Sequence, residues 1–189
     1  MTTDHLFVIT GGPGSGKSSL ITALAAQGIA TMPEAGRAII QEQVATGGDA
    51  LPWADRAAFA EQMLERELRS HDEALSLAAP VVLDRGIPDV MGYLRLCGLP
   101  VPGRVEHAAA TYRYNPAVFI APHWPAIYAQ DAERKQDEAE AAATHDMMAR
   151  VYAALGYDLV PLPLASVAER VRFVMERINA DAAAYPGCA

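Results

Sequence analysis

The chain holds only two cysteines, Cys97 and Cys188, far apart and outside any C-x-x-C or Cys/His cluster, which argues against a disulfide framework and a cysteine zinc site. It lacks a basic excess: 15 Lys and Arg stand against 23 Asp and Glu, a formal charge of −8, the wrong sign for a surface that neutralises nucleic acid or an anionic membrane. No apolar run approaches the roughly 20 residues of a bilayer-spanning helix, and MTTDHLFVIT has no basic n-region of a secretion signal. His5, His71, His107, His123 and His145 show no ligand spacing such as H-E-x-x-H, and no Ser/His/Asp or paired-carboxylate motif is legible. The expectation is a cytoplasmic protein without nucleic-acid or membrane partners.

What is present is ordinary globular material, 51% apolar and 20% charged in 189 residues, enough for one packed domain over 1–182 with a short tail at 183–189. Short apolar runs alternate with helical patterns and show no hairpin signals. Leu6 to Thr10, Ile29 to Met32, Val81 to Leu83, Ala117 to Ala121 and Tyr157 to Leu162 read as strands. Helices are expected from Lys17 to Gly28, Glu34 to Ala45, Asp55 to Leu77, Pro88 to Cys97, Arg104 to Tyr112, Gln136 to Leu155 and Ala165 to Ala182. The last carries Val167, Val171, Val174 and Ile178 on one stripe. Pro122 to Lys135 has little strand pattern and reads as a loop. This alternation predicts an α/β fold, a parallel sheet with helices on both faces.

Between the first strand and the first helix stands Gly11-Gly-Pro-Gly-Ser-Gly16-Lys17-Ser18, a match to G-x-x-x-x-G-K-[ST]. Glycines let the backbone wrap an oxyanion, and the N–H groups over Gly12, Pro13, Gly14, Ser15, Gly16, Lys17 and Ser18, proline excepted, would point inward toward the positive end of the following helix. Lys17 would reach the β- and γ-phosphates, Ser18 would ligate Mg²⁺, and Ser19 would touch the α-phosphate. No Asn-Lys-x-Asp guanine-reading motif appears, so ATP is the expected nucleotide.

In a sheet of this kind ligands bind beyond the carboxyl ends of the strands, where Glu34 and Asp84-Arg85 are expected. Asp84 would hold Mg²⁺ or accept a substrate proton, and Arg85 would clamp a phosphoryl oxygen. The competing readings are a helix N-cap for Asp84, a solvated partner of Asp89 for Arg85, and a dipole-favoured acid in the first turn of a helix for Glu34. Arg37, one turn on, would bind substrate or pair with Glu34. Arg134 and Lys135 would swing over the γ-phosphate or remain solvated. Trp53, Trp124, Tyr112 and Tyr114 would frame a flat acceptor or pack the core. The acceptor is expected in a crevice between Glu34, Trp53, Arg85 and Tyr114.

With these landmarks the chain resembles the small ATPase/kinase proteins related to the ribosylnicotinamide-kinase domain, within the kinase group of P-loop proteins. The resemblance runs almost end to end, through Gly11-Gly-Pro-Gly-Ser-Gly-Lys-Ser-Ser-Leu, Pro33-Glu-Ala-Gly-Arg37, Val82-Leu-Asp-Arg-Gly86, Asp131-Ala-Glu-Arg134 and Gly156-Tyr-Asp-Leu-Val-Pro161. It implies a three-layer α/β/α fold, a five-stranded parallel sheet of order 2-3-1-4-5 and a lid after the fourth strand. More distantly it is similar to deoxynucleoside kinases, which implies Glu34 as base, Asp84-Arg85 as the acidic-Arg pair and Arg134 as a lid arginine. Gly86 stands where those kinases often have serine, and the lid has one Arg-Lys pair rather than several arginines.

Together these features predict an ATP- and Mg²⁺-dependent kinase acting on a nucleoside-like or nucleotide acceptor. The rival from another class is a regulatory ATPase or switch protein with no small-molecule acceptor. It predicts acceptor-independent hydrolysis and a protein partner that tells ATP from ADP.

Overall fold

Three strands of the sheet are continuous apolar runs because they are covered on both faces: Leu6–Gly11 (β1), Val81–Asp84 (β3) and Ala117–Ala121 (β4) are buried throughout. The edge strands Ala30–Met32 (β2) and Asp158–Pro161 (β5) are partly exposed. In this computed structural model, which describes residues 3–77, 80–125 and 138–184, the five strands run parallel in the order β2-β3-β1-β4-β5. The chain departs from β1 toward one edge and returns on its other side. The carboxyl end of β1 is therefore the switch point where a crevice opens.

Lys17–Ala25 (α1), Ala35–Thr46 (α2), Arg56–Leu75 (α3), Ile87–Leu96 (α4), Gly103–Thr111 (α5), Glu138–Ala154 (α6) and Val167–Ala184 (α7) complete the fold. Alternation along β1 divides the core in two. Phe7 and Ile9 pack with Leu20 and Leu24 of α1 and with Val171, Val174 and Ile178 of α7. Leu6 and Val8 pack on the opposite face with Met148 and Tyr152 of α6, beyond which α3, α4 and α5 add a further apolar cluster. This is the three-layer P-loop kinase fold, and its strand order is the one the resemblance implied.

Element ends differ from expectation by one to three residues, the largest difference being the end of α1 at Ala25, as fraying ends do. Two differences matter for the site. Glu34 is not inside a helix: its φ of −60° and ψ of 124° are extended, and it is the residue that precedes α2. Asp84 is not a helix cap: it is the last residue of β3, and Gly86 stands before α4. The helix α7 runs to Ala184, into the segment expected to be tail. No helix among the described residues is long and apolar enough to cross a membrane.

Candidate functional site

Register brings three strand ends level, because Ile9 pairs with Asp84 on one side of β1 and Gly11 with Ala121 on the other. Gly11 has a φ of +128°, and a side chain there would begin 2.5 Å from the Ala121 carbonyl oxygen, so only glycine lets β1 turn into the loop. Gly14 and Gly16 are left-handed, and α1 starts at Lys17 immediately after Gly16. The hydroxyl of Ser15 donates to the Gly12 carbonyl at 2.7 Å and closes the turn. Ser18 and Ser19 are exposed on the first turn of α1 and line the cleft.

Lys17 is buried, with its ammonium donating to the carbonyls of Gly12 at 2.7 Å and Gly11 at 3.2 Å. Burial first, and the Arg85 cation second, lower its pKa to about 8, against the pull of Asp84, Glu34 and Asp89. A cation so placed gains from an arriving polyanion. The loop is braced from both layers. Arg170 of α7 donates to the Ser15 carbonyl at 3.0 Å, and a side chain added at Gly12 would begin 2.3 Å from the Ala141 carbonyl of α6.

At the end of β3 the chain reverses through Arg85, the only non-glycine with positive φ among the described residues, at 77°. That geometry costs on the order of 1 kcal/mol or more for a side chain of this size. It aims the guanidinium at two carboxylates: Nε donates to Glu34 at 3.1 Å and Nη1 to Asp89 at 2.8 Å. Arg85 is thus a half-buried linchpin and not a solvated partner of Asp89. Burial opposes its charge, but Glu34, Asp89 and Asp84 outweigh that and raise its pKa. Burial would likewise raise the Glu34 pKa, and Arg85, Lys17 and Arg37 overcome it, holding this carboxylate below its ordinary range.

Asp84 has a different environment. Its Oδ1 is buried and has no hydrogen-bond partner among the described residues. Burial first, then Glu34, lift its pKa to about 6. Asp84 does not itself line the cleft as Ser18 does, but an orphaned carboxyl oxygen at the end of the strand beside β1 has the chemistry of a cation ligand, and with the Ser18 hydroxyl it makes an oxygen donor pair that suits Mg²⁺.

Asp89 is a residue the sequence reading placed only as an alternative partner. It accepts from Thr10 Oγ1 at 2.6 Å, Arg85 Nη1 at 2.8 Å, the Gly86 amide at 3.2 Å and the Tyr152 hydroxyl at 2.7 Å. One carboxylate ties β1, the β3 end, α4 and α6 together. Gly86 is explained by Tyr114, whose ring carbon lies 3.0 Å from where a side chain at 86 would begin and whose hydroxyl accepts from the Ile87 amide at 3.1 Å. Tyr114 is therefore buried behind the strand and does not line the cleft, contrary to the expected crevice. Tyr112 stacks edge-on against His71, with ring centroids 5.3 Å apart, in a packing role.

The cleft itself is about 1040 Å³. It runs from the phosphate loop, with Trp124 and Arg170 at one end, past Glu34, Arg37 and Arg85 to an apolar end with Trp53 at its margin. Arg134 and Lys135, with the Asp131 segment, lie outside the described residues. No group of three or more candidate metal ligands of the His, Cys, Asp and Glu types occurs among the described residues. The residues that sequence reasoning missed are Arg170 and Glu67. Each had a signal: Arg170 sits on the apolar stripe of α7, and Glu67 follows Phe59 and Met63 at four-residue steps on α3.

Comparison with known proteins places this geometry. No curated protein matches the chain. Among solved structures, deoxyadenosine kinase from M. mycoides is similar with a TM-score of 0.67 and 13% identity, covering 93% of this chain and 99% of its own. Shikimate kinase from Acinetobacter baumannii is similar with a TM-score of 0.55 and 15% identity, covering 95% of both chains. NadR protein in complex with NR gives a TM-score of 0.69 and 18% identity over 94% of this chain but only 52% of the other, so this chain spans about half its length. At such identities the likeness is one of fold. A family model described as an AAA domain matches residues 6–170, from the first strand into the last helix, and the chain belongs to that family.

Proposed function

We propose that the protein is an ATP- and Mg²⁺-dependent kinase that transfers the γ-phosphoryl group to a hydroxyl or phosphate of a nucleoside-like acceptor. The observation that carries this reading is the continuity of the cleft. At about 1040 Å³ it is at the upper end of the range for a single small-molecule site, and its lining continues beyond the phosphate loop onto Phe59, Met63, Val90 and Tyr93 of α3 and α4, the part we treat as a second compartment. Plain hydrolysis needs no such compartment. The kinase folds of the similar structures support the same reading.

In this mechanism the loop amides over Gly12 to Ser19 and the Lys17 ammonium hold the phosphates. Ser18 and Asp84 would hold Mg²⁺, which would supply charge neutralisation at the phosphoryl oxygens. Arg85, fixed by Glu34 and Asp89, lines the cleft, where it would steady the transferred group. The acceptor oxygen bonds to the γ-phosphorus as the bond to the bridging oxygen breaks, and ADP departs. Glu34, kept ionised by its cations, accepts the hydrogen bond of the acceptor hydroxyl and orients it. Its low basicity is compatible with a loose transition state in which the hydroxyl proton passes to this carboxylate late, once bonding to phosphorus has made the acceptor oxygen strongly acidic, and then to solvent.

The test is ADP release from Mg·ATP with nucleosides, nucleotides, ribosylnicotinamide and phosphorylated metabolites as acceptors, with product mass as the check. Acceptor-dependent release that drops at least about a hundredfold in Lys17→Ala supports the reading. Slow hydrolysis indifferent to every acceptor would mean a regulatory ATPase instead.

A further inference from the structure

The second compartment has a feature that the transfer chemistry does not use. Phe59, Met63 and Glu67 line it from α3, one helical turn apart, and Val90 and Tyr93 line it from α4. The Phe59 and Tyr93 rings meet edge to face at 5.3 Å. Among these apolar groups Glu67 is 5% exposed, and no described residue donates to or accepts from its carboxyl. The titratable groups facing it are Asp89, Arg85, Asp84 and Glu34, with the Tyr114 hydroxyl behind. Burial raises its pKa well above the ordinary carboxylate range. Asp89 adds to that, Arg85 opposes it, and Asp84 and Glu34 add again.

A protonated carboxyl group offers an O–H donor and a carbonyl acceptor side by side. Buried polar groups without partners are rare, and one that faces a cleft is completed by what the cleft binds. We propose that Glu67 is the specificity residue of the acceptor subsite, reading an uncharged, flat heterocycle through an edge that carries an N–H next to a carbonyl. The apolar walls take the faces of the ring, and Glu67 pairs with its edge. An anionic acceptor head is disfavoured, because it would meet Asp89 and Glu34, and a cationic head is the competing ligand that the cationic probe tests. The inference rests on the kinase reading for the position of the reacting hydroxyl near Arg85.

The experiment uses the full chain with Mg·ADP present and measures binding by calorimetry, together with turnover on Mg·ATP. The probes are uridine and inosine, their ring N-methylated analogues, which lack the N–H, and a cationic ribosyl-pyridinium. Wild type should bind at least one parent nucleoside and bind its methylated analogue at least tenfold more weakly. Glu67→Leu should erase that discrimination while the KM for ATP moves less than twofold. Glu67→Gln, which keeps a neutral donor–acceptor pair, should restore it and should also remove the loss of nucleoside affinity at alkaline pH. The proposal is overturned if Gln behaves as Leu, if the cationic probe binds best, or if wild type binds neither parent nucleoside. Binding with discrimination but no phosphoryl transfer would sink the kinase reading and leave the Glu67 subsite standing.

Discussion

The Asp84 carboxyl titrates in the folded chain at about 6, above the ordinary value for aspartate, because it is buried and because Glu34 is near. The folded state therefore holds this proton more tightly than the unfolded state. The ionised form weakens the fold, a penalty that develops as pH rises from about 4 and is complete above about 6. Two pH units correspond to on the order of 3 kcal/mol. Asp84→Asn should accordingly raise the Tm of the metal-free protein at pH 8 and leave it near wild type at pH 4 by scanning calorimetry, while Mg·ATP turnover collapses. A lower Tm at pH 8 would contradict the assignment. At this scale the sequence showed the phosphate loop completely, because each of its residues answers to a local rule. It did not show Glu67 or Arg170, since a charge on an apolar stripe acquires meaning only when the opposite wall of the cleft is known.

Elements meet at Asp89. It receives Thr10 from β1, Arg85 and Gly86 from the β3–α4 turn, and Tyr152 from α6, so its loss would leave a buried guanidinium with a single carboxylate and a buried phenol with none. Asp89→Ala should cost about 3–5 kcal/mol in urea unfolding, the range for breaking a buried charge pair. Tyr152→Phe should cost about 1 kcal/mol, the worth of one hydrogen bond. Similar losses for the two variants would show that Arg85 is not held by this carboxylate. The strands and helices were legible to within three residues, because continuous apolar runs and 3.6-residue stripes alternate along the chain. The edges of the site were less so. For Glu34 the sequence left a strand-end acid and a first-turn helical acid both open, and the extended backbone of the residue preceding α2 decides between them. For Tyr114 the sequence left a site aromatic and core packing both open, and contact with Gly86 across the turn decides for the core.

For the molecule as a whole, the phosphate loop is where the two helical layers touch the same few residues, α7 through Arg170 and α6 through Ala141. A nucleotide that fixes the loop therefore stabilises both layers at once. Mg·ATP at a hundred times its Kd should add about 2.7 kcal/mol and raise Tm by roughly 5–10 °C for a chain of this size. Arg170 is buried at 1% exposure with Nε and Nη2 unpartnered among the described residues, a costly arrangement for the fold alone. Arg170→Met should leave the nucleotide-free Tm no lower than wild type and weaken Mg·ATP binding about tenfold. A fall in the nucleotide-free Tm with unchanged affinity would make Arg170 a purely structural strut.

The left-handed turn at Arg85 also offers a way to sort relatives. Glycine or asparagine would suit that backbone better, and no local folding preference favours arginine at a φ of 77°. Where a related chain keeps arginine there, selection has worked against conformational ease, as the proposed phosphoryl-binding role requires. Where it carries glycine, the scaffold has survived without the charge, and such a chain marks a branch of the family whose trade has changed.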